Sequence, residues 1–257
     1  MSMDSTKYGF DRSAGSNVKF DRAAGKDFHP TATDNWKALQ PFHPTEKHLV
    51  ENRILSYGGT PESAAFDQLR TRISRRAESQ GWKRIVITSP TPRCGRSTIT
   101  VNLGFGLARQ IGKRIISVET DFRNPSHAGL IDLPPAKLSA AYFYSGEARF
   151  SDCAVLVRPN FAMAVAGSPM AAASDILLDP AVGDALAEIG AEYAPDVTLF
   201  DTPPIFAHDD TLAFLSHADC ALIVAEADRT TTAELDECER LVAQETNVLG
   251  VVLNKTR

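Results

Sequence analysis

The sequence predicts an α/β fold, a mainly parallel sheet with helices on both faces, and three observations carry the prediction. Short apolar runs alternate with helical patterns; one run passes through a tight glycine-bearing loop into a helix; and two further runs end in carboxylates. Such alternation sets strands side by side in parallel, because each helix returns the chain to the same edge, and ligands collect where the strands end. At 257 residues, 43% of them hydrophobic, the chain is long enough for one sizeable domain and a tail.

Composition excludes several classes. A net charge of -5 argues against a general nucleic-acid binder, which needs a basic face to neutralise phosphates. No apolar run approaches the roughly 18 residues that span a bilayer, and the polar start lacks a signal-peptide core. Cys94, Cys153, Cys220 and Cys238 show no metal-ligand spacing, which suits free thiols in a reducing compartment, and places the protein in the cytosol.

Taken in order, residues 1–59 are polar, interrupted by His29-Pro30, Gln40-Pro41 and His43-Pro44, and are expected to form a flexible tail; residues 60–257 form the domain. Phe10-Asp11-Arg12 recurs as Phe20-Asp21-Arg22, read as a docking motif or as chance similarity in a tail. Thr60-Pro61-Glu62 starts a helix, with Thr60 capping and Pro61 at its first position; Phe66, Leu69 and Ile73 share one face and Gly81 ends it. Its other face carries Arg70, Arg72, Arg75 and Arg76, a solvated face or one that meets an anionic membrane. After the strand Ile85-Val86-Ile87 and its loop, Ile99, Val101, Leu103, Leu107 and Ile111 line a helix ending at Gly112. Further strands are predicted at 114–118, 161–165, 197–200, 220–225 and 248–253, with helices at 180–193 and 231–244.

The loop Ser89-Pro90-Thr91-Pro92-Arg93-Cys94-Gly95-Arg96-Ser97-Thr98 has the form of a phosphate-binding loop, in which backbone N–H groups and the start of a helix cradle a nucleotide phosphate. Pro92 to Thr98 are therefore the candidate nucleotide contacts, with Ser97 placed to hold Mg²⁺. The pattern calls for Lys where Arg96 stands. Lys is a compact charge that reaches the β- and γ-phosphates, whereas a guanidinium is longer and seeks a bidentate acceptor, so binding is expected to be weak and phosphoryl transfer lowered. Cys94 reads as a small filler or as a thiol activated by its arginine neighbours. Two strands deliver carboxylates to the same rim: Glu119-Thr120-Asp121 after the strand at 114–118, and Asp201 after that at 197–200. Phosphoryl transfer needs a metal shell and a proton acceptor, so Asp201 is assigned to metal and Asp121 to metal or base duty.

With these residues placed, the stretch from about Thr60 to Arg257 resembles the bacterial tyrosine kinases of capsule and exopolysaccharide synthesis, within the P-loop class that includes MinD and ParA. The likeness rests on the loop, on Asp121-x-Arg123-x-Pro125-Ser126, on Asp201-Thr202-Pro203-Pro204 with Asp210, and on Leu249-Gly250-Val251-Val252-Leu253-Asn254. It implies an ATP/ADP and Mg²⁺ site to which Glu119 and Arg123 also contribute, with Arg96 in the place of the phosphate-contacting Lys. It further implies a cytosolic protein at the inner face of the membrane, partnered by an integral-membrane chain-length regulator. The family's assembly helix carries E-x-x-R-x-x-R, of which Ala64, Asp67 and Arg70 keep only the last, so the signal for ring-like self-assembly is partial, and a homo-oligomer stays among the partners the resemblance allows. No tyrosine-rich run follows the last strand, and Tyr142 and Tyr144 read as packing residues. The preferred reading is a degenerate, regulatory member of the group; an active kinase acting on another chain and an ATP-dependent positioning switch are the alternatives.

Overall fold

The computed structural model describes residues 31–134, 139–171 and 173–256. Among these, eight strands form one sheet in the order β1-β4-β5-β3-β6-β2-β7-β8. They are β1 (Gln40–Pro41), β2 (Arg84–Thr88), β3 (Ile115–Glu119), β4 (Ala154–Arg158), β5 (Phe161–Ala164), β6 (Val197–Asp201), β7 (Cys220–Glu226) and β8 (Asn247–Asn254). Every pairing is parallel except β4 with β5. The mainly parallel fold predicted from sequence is therefore the fold observed.

Alternate residues of the central strands feed two cores, as a two-residue period requires. Val86, Ile116, Val118, Phe200 and Ile223 pack on one face. Ile85, Ile87, Ile115, Leu199 and Leu222 pack on the other. The second face is covered by α3 (Ala64–Gln80) and α4 (Arg96–Leu107), and the first by α5 (Ala181–Tyr193) and α6 (Thr232–Glu245) among others. Gly104 lets α4 lie close to the sheet: a Cβ there would fall 2.2 Å from the Phe161 ring. The helix predicted to reach Gly112 stops at Leu107, and Ile111, expected on its buried face, is fully exposed in the turn that follows.

The expected tail needs correction from Thr31 onward; the Phe-Asp-Arg repeat lies outside the described residues. Residues 31–59 carry α1 (Ala32–Ala38), β1 and α2 (Glu46–Glu51) and are tied to the domain by buried Trp36, Leu39, Leu49 and Ile54. The Trp36 indole donates to Tyr193 O at 2.8 Å. The Asn102 side chain, in α4, accepts from the N–H groups of Leu55 and Ser56 and donates to Arg53 O. Each buried large apolar side chain contributes roughly 1.5–3 kcal/mol, enough to order a segment that has no period of its own. Likewise β4 was not anticipated; it pairs with β5 through the Pro159-Asn160 turn, and the Pro-Asn dipeptide between two apolar runs is the signal that marks it.

Candidate functional site

The loop joining β2 to α4 has the backbone of an anion nest. Arg93 (φ 69°) and Gly95 (φ 94°) are left-handed and Cys94 between them is not, an alternation that turns successive N–H groups toward one concavity. At Gly95 a side chain is doubly excluded, since a Cβ would also lie 2.3 Å from the Asn254 amide. Helix α4 starts directly at Arg96 with no side-chain cap, so its first N–H groups remain available to a ligand.

Strands β3, β6 and β2 are neighbours, and their ends are stitched by backbone bonds. Asp201 O accepts from the N–H groups of Thr120 and Asp121, and Thr202 N donates to Ile87 O. Pro92, Arg93, Gly95, Arg96, Ser97, Thr98 and Asp121 consequently line one cavity of about 670 Å³. Asn124, Ser126 and Lys255 line it as well. Asp201 is fully buried and does not line it. Cys94 is also buried, its thiol 3.2 Å from Thr91 O, which is the packing role.

Arg96 is turned into the protein. Its Nε donates to Thr202 O at 2.8 Å, Nη1 to Ser89 Oγ at 2.7 Å and Nη2 to Asp121 Oδ2 at 3.2 Å. The other Asp121 oxygen accepts from Asn124 N–H. Burial, before any other influence, lifts the Asp121 carboxyl above its ordinary range; Asn124 N–H and Arg96 pull it back, and the charges of Asp201 and Glu119 add to the rise.

Two expected ligands are engaged elsewhere. The Glu119 carboxylate is buried and accepts from the N–H groups of Ser126, His127 and Ala166, anchoring the loop that follows. Arg123 forms a bidentate pair with buried Asp210, at 2.8 and 3.0 Å, and donates to Ala171 O. Neither lines the cavity.

No protein-family model matches the sequence. The chain is 28% identical over 222 residues to EpsB of Ralstonia nicotianae, covering 82% of this chain and 28% of that one. It is 25% identical over 205 residues to tyrosine-protein kinase YwqD of Bacillus subtilis, covering 75% of this chain and 80% of YwqD. Its homologues are bacterial tyrosine-protein kinases. Among solved structures, the BceF tyrosine kinase domain superposes with a TM-score of 0.67 at 20% identity, over 87% of this chain and 92% of BceF. Cobyrinic acid a,c-diamide synthase from Mycobacterium smegmatis, solved with an ATP analogue and magnesium, does so with 0.57 at 19%, over 68% and 77%. The fold is thus that of the bacterial tyrosine-kinase domain, within the wider P-loop class. This kinase-like chain spans little more than a quarter of EpsB's length.

In the kinase-like site, His127 was not foreseen from the sequence. It is fully buried, with Nε2 3.1 Å from Asp201 Oδ2, close in distance but not aimed as an aligned hydrogen bond. Burial draws its pKa down, yet the surrounding charges of Glu119, Asp201 and Asp121 prevail and hold the imidazole above its ordinary value. Both Asp201 oxygens are buried without an aligned donor, a carboxylate suited to a cation, and Ser97 stands in the cavity wall. Ser97 and Asp121 thus offer the cavity oxygen atoms of the kind Mg²⁺ takes, Asp121 only once Arg96 lets go, whereas Asp201, like Glu119, does not line the cavity. Among the described residues no helix is long and apolar enough to cross a membrane.

Proposed function

We propose that the chain is a nucleotide-binding, tyrosine-kinase-like domain whose phosphoryl transfer is attenuated, and that it regulates exopolysaccharide polymerisation or export. The observation that carries this reading is the posture of Arg96. A guanidinium held by Thr202 O, Ser89 Oγ and Asp121 is not free for the β- and γ-phosphates. Charged hydrogen bonds of this kind are worth about 1.5–3 kcal/mol each, so reaching a phosphate by breaking one lowers affinity by roughly tenfold or more.

In this reading the nest and the start of α4 bind the phosphates, while Ser97 and a released Asp121 hold Mg²⁺. The ion would neutralise phosphate oxygens when bound. Where it does not hold the ion, Asp121, its carboxyl lifted by burial, is the carboxylate in the cavity wall that serves as proton acceptor. The kinship with tyrosine kinases supports an integral-membrane chain-length regulator as partner and a place at the inner face of the membrane. On α3, Asp67 pairs with Arg70 and Arg109 of its own chain, which supports the view that this helix does not drive assembly.

Calorimetry of ADP and ATP with Mg²⁺ tests the reading. Weak binding of both, with slow hydrolysis, is expected; no binding of either overturns the nucleotide assignment, and hydrolysis or tyrosine transfer at the rate of YwqD overturns the regulatory one.

A further inference from the structure

We propose that Asn254 and Lys255, at the end of the outermost strand β8, are positioning residues that set the phosphate-binding shape of the loop. The inference rests on the nucleotide reading above. The Asn254 amide donates to Cys94 O at 2.8 Å, and Lys255 Nζ donates to Arg93 O at 2.6 Å. A trans peptide unit is planar and carries its C=O and N–H on opposite sides. Pinning the Arg93 carbonyl therefore sends the Cys94 N–H the other way, and pinning the Cys94 carbonyl does the same for the Gly95 N–H. Two successive donors are fixed in this manner, in a loop whose left-handed Arg93 favours relaxation to another shape.

The clasp is itself held. Ala227 N donates to Asn254 O, and Lys255 Nζ lies 3.1 Å from Glu226 Oε1. Because Glu226 meets the Lys255 charge, geometry and not added positive potential is what this side chain supplies. Gly95 provides the room, since any Cβ there would collide with the Asn254 amide.

The test is calorimetry of ADP with Mg²⁺ on the full chain, with melting temperatures alongside. Asn254→Asp keeps the size of the side chain and turns the donor toward Cys94 O into an acceptor; Lys255→Met keeps length and removes the donor. Each is expected to weaken ADP by about tenfold with a melting temperature close to wild type, and Lys255→Arg, which keeps a donor, is expected to restore binding to within about threefold. Wild-type affinity in both disruptive variants overturns the clasp and leaves the nucleotide reading standing. A loss that follows the melting temperature and is not restored by Lys255→Arg overturns it too, as general damage. Failure of the wild type to bind ADP overturns the nucleotide reading and the clasp with it.

Discussion

The Arg96 guanidinium stands 3.2 Å from the Asp121 carboxylate, joining the first turn of α4 to the loop after β3 across the floor of the cavity. Both side chains are more than nine-tenths buried, so the pair is shielded from salt and its rupture is costly. In the proposed reading it ties together two groups that phosphoryl transfer would need apart.

Arg96→Lys follows from that contact. A lysine cannot satisfy Thr202 O, Ser89 Oγ and Asp121 together, so its amine is left for the phosphates. We expect ATP to bind roughly tenfold more tightly and turnover to rise, while the apo protein loses about 1–3 kcal/mol of stability. Calorimetry and thermal melting read the two opposing effects; unchanged ATP affinity would show that the cavity is closed for another reason.

Arg93→Gly removes a side chain from a left-handed position. The strain relieved, about 1–2 kcal/mol, outweighs the extra freedom of glycine in the unfolded chain, about 0.5–1 kcal/mol. A gain of up to ~1 kcal/mol, or roughly 2–4 °C in Tm, is the expected outcome. Gly95→Ala shifts Tm the other way, because the added methyl meets both the backbone strain and Asn254.

Histidines on two sides of the molecule give pH dependences of opposite sign. His127 is held above its ordinary pKa, so in metal-free protein its contribution is complete below the unfolded value of about 6.5 and is lost as pH rises through the folded one. His217 is drawn down by burial and by Arg84, so its contribution is present above that value and is lost as pH falls through the folded one. Denaturant midpoints across pH 5 to 9 should lose the alkaline decline in His127→Gln and the acid decline in His217→Gln; curves parallel to wild type would refute the assignment.

Trp36→Ala tests whether the segment before Thr60 belongs to the fold. Loss of the buried indole and of its bond to Tyr193 O should cost about 3–5 kcal/mol. If residues 31–59 are dispensable, the chemical-denaturation midpoint will not move.

Sequence pattern reached the parts of the molecule that are periodic. The β2-loop-α4 unit and the carboxylates at the ends of β3 and β6 were legible because strand period, helix period and turn chemistry agree there. Trp36, Leu49 and Ile54 were not, since their partners lie far along the chain and no local repeat reports them. At Arg96 the residue type was visible but its direction was not: the turn inward depends on Ser89, Thr202 and Asp121 meeting in space. Glu119 and Arg123 matched a motif yet serve as anchors, and the roles of His127 and Lys255 emerge only from neighbouring strands.

Asn102 gives α4 a second duty. The helix begins at the cavity, and less than two turns further on this one side chain grips the backbone of residues 53–56. Helix α4 is thus a rod shared by two tenants, the cradle at its tip and the strap that enters the domain.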